Sequence, residues 1–243
     1  MARQVSSPIR TILDEQFAEF IGIFLGDGSL FIRENKCDYD FKIVGNPYDE
    51  KPYYEYVARL LSRILNREIV PRMHDKGRSY GIRFCSKRLA KRISNLNVVI
   101  TNKSHTARIP NFILRDSDLT RACLRGLFDT DGCLTIKKDY YPVITFVTAS
   151  FILATQISNE LFKIGIRHSA SYNMFRYDER TRTVSVRNEV SINGFTNVRL
   201  FYAKIGSNNP KMIEKYKERV EVAGSGFEPP IFAQKEISLA SSG

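Results

Sequence analysis

The chain has no tryptophan, and several other chemically useful residues are scarce and scattered. Its three histidines, His74, His105 and His168, lack metal-ligand spacing, which argues against a histidine-metal nuclease. The four cysteines, Cys37, Cys85, Cys123 and Cys133, form no C-x-x-C pair. They read as reduced thiols in an intracellular protein, in the cytoplasm of a prokaryote or in an organelle, and not as a disulfide scaffold. No apolar run is long enough to cross a bilayer, so no membrane partner is expected. Met1 to Pro8 lacks the apolar stretch of a signal peptide. Acidic residues are also in short supply: 26 against 37 basic ones, a net charge of +11. That balance points to a polyanionic partner, although an ordinary basic surface has the same count. Hydrophobic residues make up 43% of the 243, enough for one large domain or two modest ones.

What the chain does have is one short pattern twice, 104 positions apart. Phe20-Ile21-Gly22-Ile23-Phe24-Leu25-Gly26-Asp27-Gly28 returns as Leu124-Arg125-Gly126-Leu127-Phe128-Asp129-Thr130-Asp131-Gly132. Each copy predicts an apolar helix ending in a carboxylate and a glycine. Ala18, Gly22 and Gly26 fall at i, i+4 and i+8, on one helical stripe. Ala122, Gly126 and Thr130 repeat the stripe. Glycine inside a helix costs roughly 1 kcal/mol relative to alanine, so two in one helix call for a compensating gain. Close approach of two helix backbones supplies it. Phe17, Phe20, Ile21, Phe24 and Leu25, and later Leu124, Leu127 and Phe128, are left to dock onto sheets.

Asp27 and Asp131 then sit at matched helix C-termini, with Gly28 and Gly132 suited to a left-handed stop. A carboxylate there opposes the helix macrodipole, and two that converge also repel each other. Divalent cations, which prefer carboxylate oxygen, offset both penalties. A single Asp-Gly reads as a helix stop before a turn; two copies with matching stripes read as a pair.

These segments resemble the paired motifs of the LAGLIDADG homing endonucleases in their single-chain, two-repeat form. The resemblance implies that the motif helices form the interface between two pseudo-symmetric halves. It implies that Asp27 and Asp131, with Gly26 and Thr130 beside them, hold the metal ions used to cleave DNA. The expected cofactor is Mg²⁺, with Mn²⁺ able to substitute and Ca²⁺ binding without supporting cleavage. The first copy departs from the family spelling at Leu25, where the motif often has an acid; the second keeps it as Asp129. The solvent-organising residue of the family has no clear match: Gly45 or Asn46 falls near its place in the first half, and Ala149 or Ser150 in the second.

The order of elements repeats as well. Strands are predicted at Ser29–Arg33 and Asp40–Val44, and a helix through Tyr53, Val57, Leu60, Leu61 and Ile64. Strands near Glu68–Met73 and Tyr80–Cys85 follow, then a helix Lys87–Leu96 capped by Ser86. The second half predicts strands Cys133–Lys137 and Val143–Thr148 and a helix from Ser150 to Gly165. Strands Ser169–Tyr177 and Thr183–Ile192 and a helix Asn197–Lys204 complete it. The fold class is therefore α+β: two αββαββα repeats with the motif helices between them and a saddle of antiparallel strands. The expected division is an arm 1–15, a first repeat 16–101, a linker 102–118, a second repeat 119–221 and a loose tail 222–243.

Basic residues gather in the hairpins. Arg33, Lys36 and Lys42 belong to the first, and Arg72, Lys76, Arg78 and Arg83 to the second. Lys137 and Lys138 belong to the third, and Arg176, Arg180, Arg182 and Arg187 to the fourth. Tyr80, Tyr140, Tyr172 and Tyr177 add amphipathic contacts. A β-ribbon fits the major groove of double-stranded DNA, and arginine reads guanine through two hydrogen bonds. Charged hairpins that only resist edge pairing are the alternative. Lys103 and Lys211 each follow the last helix of their repeat, where the family often has a basic residue near the scissile phosphates. A solvent-exposed loop lysine is the alternative for both.

The activity the resemblance implies is a monomeric, site-specific, metal-dependent endonuclease, intron-encoded, that cuts both strands of a long target and leaves short 3′ overhangs. The rivals are an RNA maturase or a DNA-binding regulator of the same fold, and an intein endonuclease. The last needs a splicing nucleophile at the start and a C-terminal His-Asn, whereas this sequence begins Met1-Ala2 and ends Ser242-Gly243, so a free-standing protein is expected.

Overall fold

A computed structural model describes residues 12–33, 38–98, 103–137, 141–179 and 182–221. The chain runs α1 (Ile12–Gly26), β1 (Gly28–Arg33), β2 (Asp38–Gly45), α2 (Lys51–Leu65), β3 (Arg72–His74), β4 (Ser79–Cys85) and α3 (Lys87–Asn95). Two short helices, α4 (Lys103–Thr106) and α5 (Asn111–Leu114), lead to α6 (Ser117–Asp131). Then come β5 (Gly132–Ile136), β6 (Pro142–Thr148), α7 (Phe151–Ile164), β7 (Ser169–Asp178), β8 (Thr183–Asn193), α8 (Phe195–Lys204) and α9 (Pro210–Tyr216). The stretch read as a linker thus holds two helices and the start of α6. The expected tail, and all of the expected arm before α1, lie outside the described residues.

The two repeats build the same sheet. Both are four-stranded and antiparallel, ordered β1-β2-β4-β3 and β5-β6-β8-β7. Alternation decides which face is covered. Phe41, Ile43, Ile82 and Phe84 are buried on one face of the first sheet, and Leu134, Ile144, Phe146, Val190 and Ile192 on one face of the second. Each of these faces is anchored by a motif-helix phenylalanine. The Phe24 ring lies 6.0 Å from Phe41, which stacks on Phe84 at 5.0 Å. The Phe128 ring, 104 residues on, lies 5.9 Å from Phe146 and 4.9 Å from Phe201.

Local signals account for most boundaries. Ser86 accepts from the Leu89 amide and Ser150 from the Leu153 amide, as N-caps do. Gly165 ends α7 at φ 86°. β3 is shorter than expected, starting at Arg72 and not near Glu68. The Ile69 amide is taken by Ser62 Oγ at 2.9 Å, and Pro71 has no amide to offer a neighbouring strand.

The motif helices lie side by side, with the small residues at the seam. A β-carbon on Gly22 would meet Leu127 N at 2.9 Å and Cys123 C at 3.0 Å. One on Gly126 would meet Ile23 N at 2.9 Å and Glu19 C at 3.2 Å. The glycines after the helices have a different role from the expected one. Gly132 is extended (φ −81°, ψ 159°), and Gly28 has no positive φ. A side chain at Gly28 would strike the Phe24 ring and backbone, and one at Gly132 would strike Phe128. These positions are small because each chain turns straight from helix into strand over its own phenylalanine.

Candidate metal and DNA site

α1 and α6 deliver Asp27 and Asp131 to one place, where each motif helix hands over to the first strand of its sheet. The convergence is visible in neighbouring atoms: a β-carbon on Gly26 would lie 3.3 Å from Asp131 Cγ and 2.9 Å from Thr130 Cβ. Both residues are exposed at the end of the seam, and the neighbouring protein still withdraws part of each carboxylate from water. Desolvation raises the Asp27 pKa, and Glu50 adds to the rise while Tyr54 and Lys103 oppose it. Asp131 is pushed up to about 6 by desolvation and then by Asp27, against the pull of Lys103. Two partly desolvated carboxylates, one of them raised further by the other, form a site short of positive charge, which is what a hard divalent cation supplies. Among the described residues no group of three or more His, Cys, Asp or Glu side chains could hold a metal, so any ion here would rest on this pair and on non-carboxylate oxygens.

Lys103 sits inside the site. Its Nζ donates to Phe24 O at 2.5 Å, to Gly28 O, and more distantly to Gly26 O (3.3 Å) and Leu25 O (3.4 Å). It therefore caps the carbonyl end of α1, where a cation complements the macrodipole. Burial lowers its pKa to about 8, while Asp131 and Asp27 pull the other way. Lys211 is placed differently: at the start of α9, exposed, with Nζ 3.5 Å from Asp49 Oδ2. The end of α6 is capped by a neutral group instead, Asn209 Nδ2 donating to Asp129 O at 3.1 Å. Thr130 turns its hydroxyl back onto Gly126 O at 3.0 Å.

Several further polar residues surround the pair, and of these only Asp129 and Arg125 belong to a motif. Tyr54 donates its hydroxyl to Asp27 Oδ2 at 2.9 Å. Asp129, the acid of the second motif, is buried and held by Ser207 Oγ (2.5 Å) and the Asn208 amide (2.8 Å). Burial lifts its pKa to about 7. Glu19, 2% exposed, accepts from Arg125 (2.9 and 3.2 Å), from Tyr56 Oη (2.6 Å) and from Asn208 Nδ2 (2.7 Å). Glu19 was the one acid in an otherwise apolar run of α1, the only hint the chain offers.

The sheet faces turned away from the helices carry much of the predicted basic set. Lys42 and Arg83 are cross-strand partners there, and Arg72 pairs beside Gly81. Several of the cations are already engaged: Arg83 forks onto Asp40 (2.6 to 3.1 Å), and Lys42 bonds Asp75 at 2.9 Å. Arg78 Nε donates to Asp75 O, and Lys76 stands exposed in the turn at φ 57°. On the second sheet Arg176 and Arg187 share the outer face, Arg187 paired with Glu189 at 2.5 Å. Arg182 (φ 53°) is exposed in the hairpin tip, and Lys137 is exposed just past β5. Arg33 pairs with Asp38 through the backbone. Lys36, Lys138, Arg180 and Tyr140 lie outside the described residues. Tyr80 and Tyr177 fall on the helix-side face, because they share the parity of Ile82 and of Val184 opposite. They are not where a duplex on the outer face would lie.

Twin sheets and twin helices with a carboxylate pair between them define a two-repeat α+β architecture. Residues 118–206 match the pattern of a LAGLIDADG-like domain, and the chain has the fold of the homing endonuclease I-DmoI in its complex with DNA and Ca. With that structure the TM-score is 0.62 at 17% identity, covering 86% of this chain and all of that one. In sequence, the chain is 28% identical over 208 residues to the replication factor C small subunit of Methanocaldococcus jannaschii. That stretch is 86% of this chain but 10% of that protein. It is 26% identical over 175 residues to a DNA polymerase of Thermococcus hydrothermalis, again 10% of that protein. The chain thus spans about a tenth of the length of these relatives. No helix among the described residues is long and apolar enough to cross a membrane.

Proposed function

We propose that the chain is a homing-type endonuclease that hydrolyses both strands of double-stranded DNA at a long, specific site and leaves short 3′ overhangs. The observation that carries the reading is the meeting of Asp27 and Asp131 beside Lys103, between two sheets whose outer faces are basic. I-DmoI, whose fold the chain shares, is seen in complex with DNA and Ca and in complex with DNA and Mn. Asp27 and Asp131 would hold divalent metal, Mg²⁺ being the expected ion, with the backbone oxygens of Gly26 and Thr130 close by. Bound there, the metal would lower the pKa of water and stabilise the leaving oxygen. Asp27 and Asp131 must be ionised for this, and Lys103 is the cation that acts on both among the described residues. Lys103 steadies the α1 terminus and keeps positive charge next to both acids. Arg72, Lys76, Arg176 and Arg182, exposed at the rims, supply phosphate or base contacts; Arg83, Arg187 and Lys42 exchange their carboxylate partners for DNA. Lys211 is the weakest of the proposed catalytic set, since its ammonium faces Asp49. One chain holds both halves and so acts as a monomer, inside cells.

The test is cleavage of a plasmid carrying the joined sequences that flank the reading frame. Purified protein with Mg²⁺ should linearise it; tight binding without cleavage would favour a regulator or maturase instead.

A second reading concerns the host element. A replication factor subunit and a DNA polymerase each share only about a tenth of their length with this chain, as the bearers of an inserted element would. The nuclease would then be borne by such an insertion and not by an intron. Reading through the flanking DNA for an in-frame host protein decides between them.

A further inference from the structure

The two halves of the carboxylate pair are not equivalent. Tyr54 sits in α2, four residues after the N-cap Glu50, with its ring buried and its hydroxyl on Asp27 Oδ2 at 2.9 Å. The phenol is the donor in this bond, since an ionised carboxylate can only accept. The end of β2 closes over it: a β-carbon on Gly45 would lie 2.9 Å from Tyr54 Cε2 and closer still to the hydroxyl. Gly45 falls where the family's solvent-organising residue was sought, and here that position makes room for the phenol.

The second repeat has no such device. α7 has its N-cap at Ser150, and four residues on stands Ala154, buried and unable to donate. By strand pairing (Gly28 with Ile43, Gly132 with Phe146), Gly45 corresponds to Thr148. Its hydroxyl accepts from the Ser150 amide at 3.1 Å. Among the described residues no side chain donates to Asp131.

We propose that Tyr54 is a positioning residue that fixes the Asp27 carboxylate, and that its lack of a counterpart at Asp131 makes the two strands unequal, one being cut before the other. A carboxylate with one oxygen held by a phenol presents the other in a set direction; outer partners of this kind usually change metal affinity 10–100-fold. Asp131 must be oriented by the metal or the DNA itself. The inference rests on the nuclease reading for its strand consequence, but not for the bond to Asp27.

The test compares Tyr54→Phe with Tyr53→Phe in the full chain. Tyr53 is the adjacent buried tyrosine, and its hydroxyl has no partner. In the free protein, NMR titration of the carboxyl carbons should show the Asp27 midpoint rising in Tyr54→Phe, with the parent value kept in Tyr53→Phe. Calorimetric titration of Ca²⁺ into the protein–DNA complex should show binding weakened about tenfold by Tyr54→Phe alone. On a plasmid bearing the joined flanking sequences, with the two strands labelled separately, Tyr54→Phe should slow one strand about tenfold and accumulate a nicked product. An unchanged Asp27 midpoint overturns the positioning role whether or not the protein cuts DNA. Equal slowing of both strands, or of neither, overturns the inequality. A parent protein that cuts neither strand overturns the nuclease reading, and the Asp27 titration still decides the role of Tyr54.

Discussion

Gly22 and Gly126 are reciprocal partners: each lies against the other motif helix, Gly22 beside Cys123 and Leu127, Gly126 beside Glu19 and Ile23. Shifting either contact by 104 positions reproduces the other, so the seam is a local twofold axis written into the chain. In an exposed helix, Gly→Ala stabilises by about 1 kcal/mol. Here the added methyl would run into backbone that has no room to retreat, and overpacking of this kind costs about 1–3 kcal/mol. Gly22→Ala is therefore expected to lower stability in urea denaturation, and Gly22→Leu to lower it further. An unchanged midpoint for Gly22→Leu would mean that the helices are not in contact.

Asp27→Asn or Asp131→Asn should abolish double-strand cleavage while leaving DNA affinity intact. The same acids set a pH dependence without metal. Their folded-state pKa values are raised, Asp131 to about 6, so the folded chain binds more protons than the unfolded one between about pH 4 and 6. Their contribution to stability is then lost as pH rises through that window. Melting in EDTA should fall from pH 4 to 7, and the Asp131→Asn variant should show a shallower slope. Mg²⁺ should recover stability most at pH 7, where both acids are ionised. A wild-type slope in Asp131→Asn would show that neither burial nor Asp27 raises the Asp131 pKa.

Lys103 has two roles that one substitution separates. Lys103→Met removes the cation from the end of α1 and the charge beside the acids. The α1 carbonyls lose their donor, and a loss of about 1 kcal/mol is expected from a cap of this kind. Cleavage should fall while DNA affinity stays near wild type. Because burial holds the Lys103 pKa at about 8, the wild-type cleavage profile should decline above that pH and the upper limb should vanish in the variant. An identical upper limb in Lys103→Met would assign it to another group.

What could be read ahead of the structure follows the distance over which each signal acts. The helix stripes, the strand alternation and the Ser86 and Ser150 caps depend on residues within a turn or a few strand positions, and they stand in the fold. The pairing of the motif helices was legible because the pattern occurs twice. Residues with partners far along the chain were not. Glu19 meets Arg125, 106 residues away, and Asn208, 189 residues away, and no local pattern links them. Tyr54 looks like any buried tyrosine on the apolar face of α2 until β2 is folded against it. Lys103 was singled out by position, but its capping of α1 depends on where α4 lands. The parity of Tyr80 was readable in principle from Ile82, two places along the same strand, whereas that of Tyr177 depends on a register shift between Ser171 and Met174 that no strand pattern announces.

The Glu19–Arg125 pair offers a test of the seam apart from catalysis. It joins α1 to α6 on one flank, with Glu19 3% and Arg125 23% exposed, and Tyr56 and Asn208 complete the acceptor's bonds. The twofold mates of these residues, Cys123 and Ile21, make no such pair, so the network marks one side of the interface. Breaking a buried pair leaves a charge without compensation and typically costs about 3–5 kcal/mol. Arg125→Met should therefore destabilise severely, because Glu19 stays behind. Glu19→Gln in the same chain should recover part of the loss, since a neutral amide still bonds Tyr56 and Asn208. A double-mutant cycle in denaturant measures the coupling, and additive losses would show that solvent already satisfies Glu19. If the network instead mainly selects how the repeats pair, as polar groups at other buried interfaces do, a further result is expected. The double variant Glu19→Met/Arg125→Met would then be as stable as wild type, yet the second repeat expressed with it would self-associate, read as a concentration-dependent sedimentation coefficient.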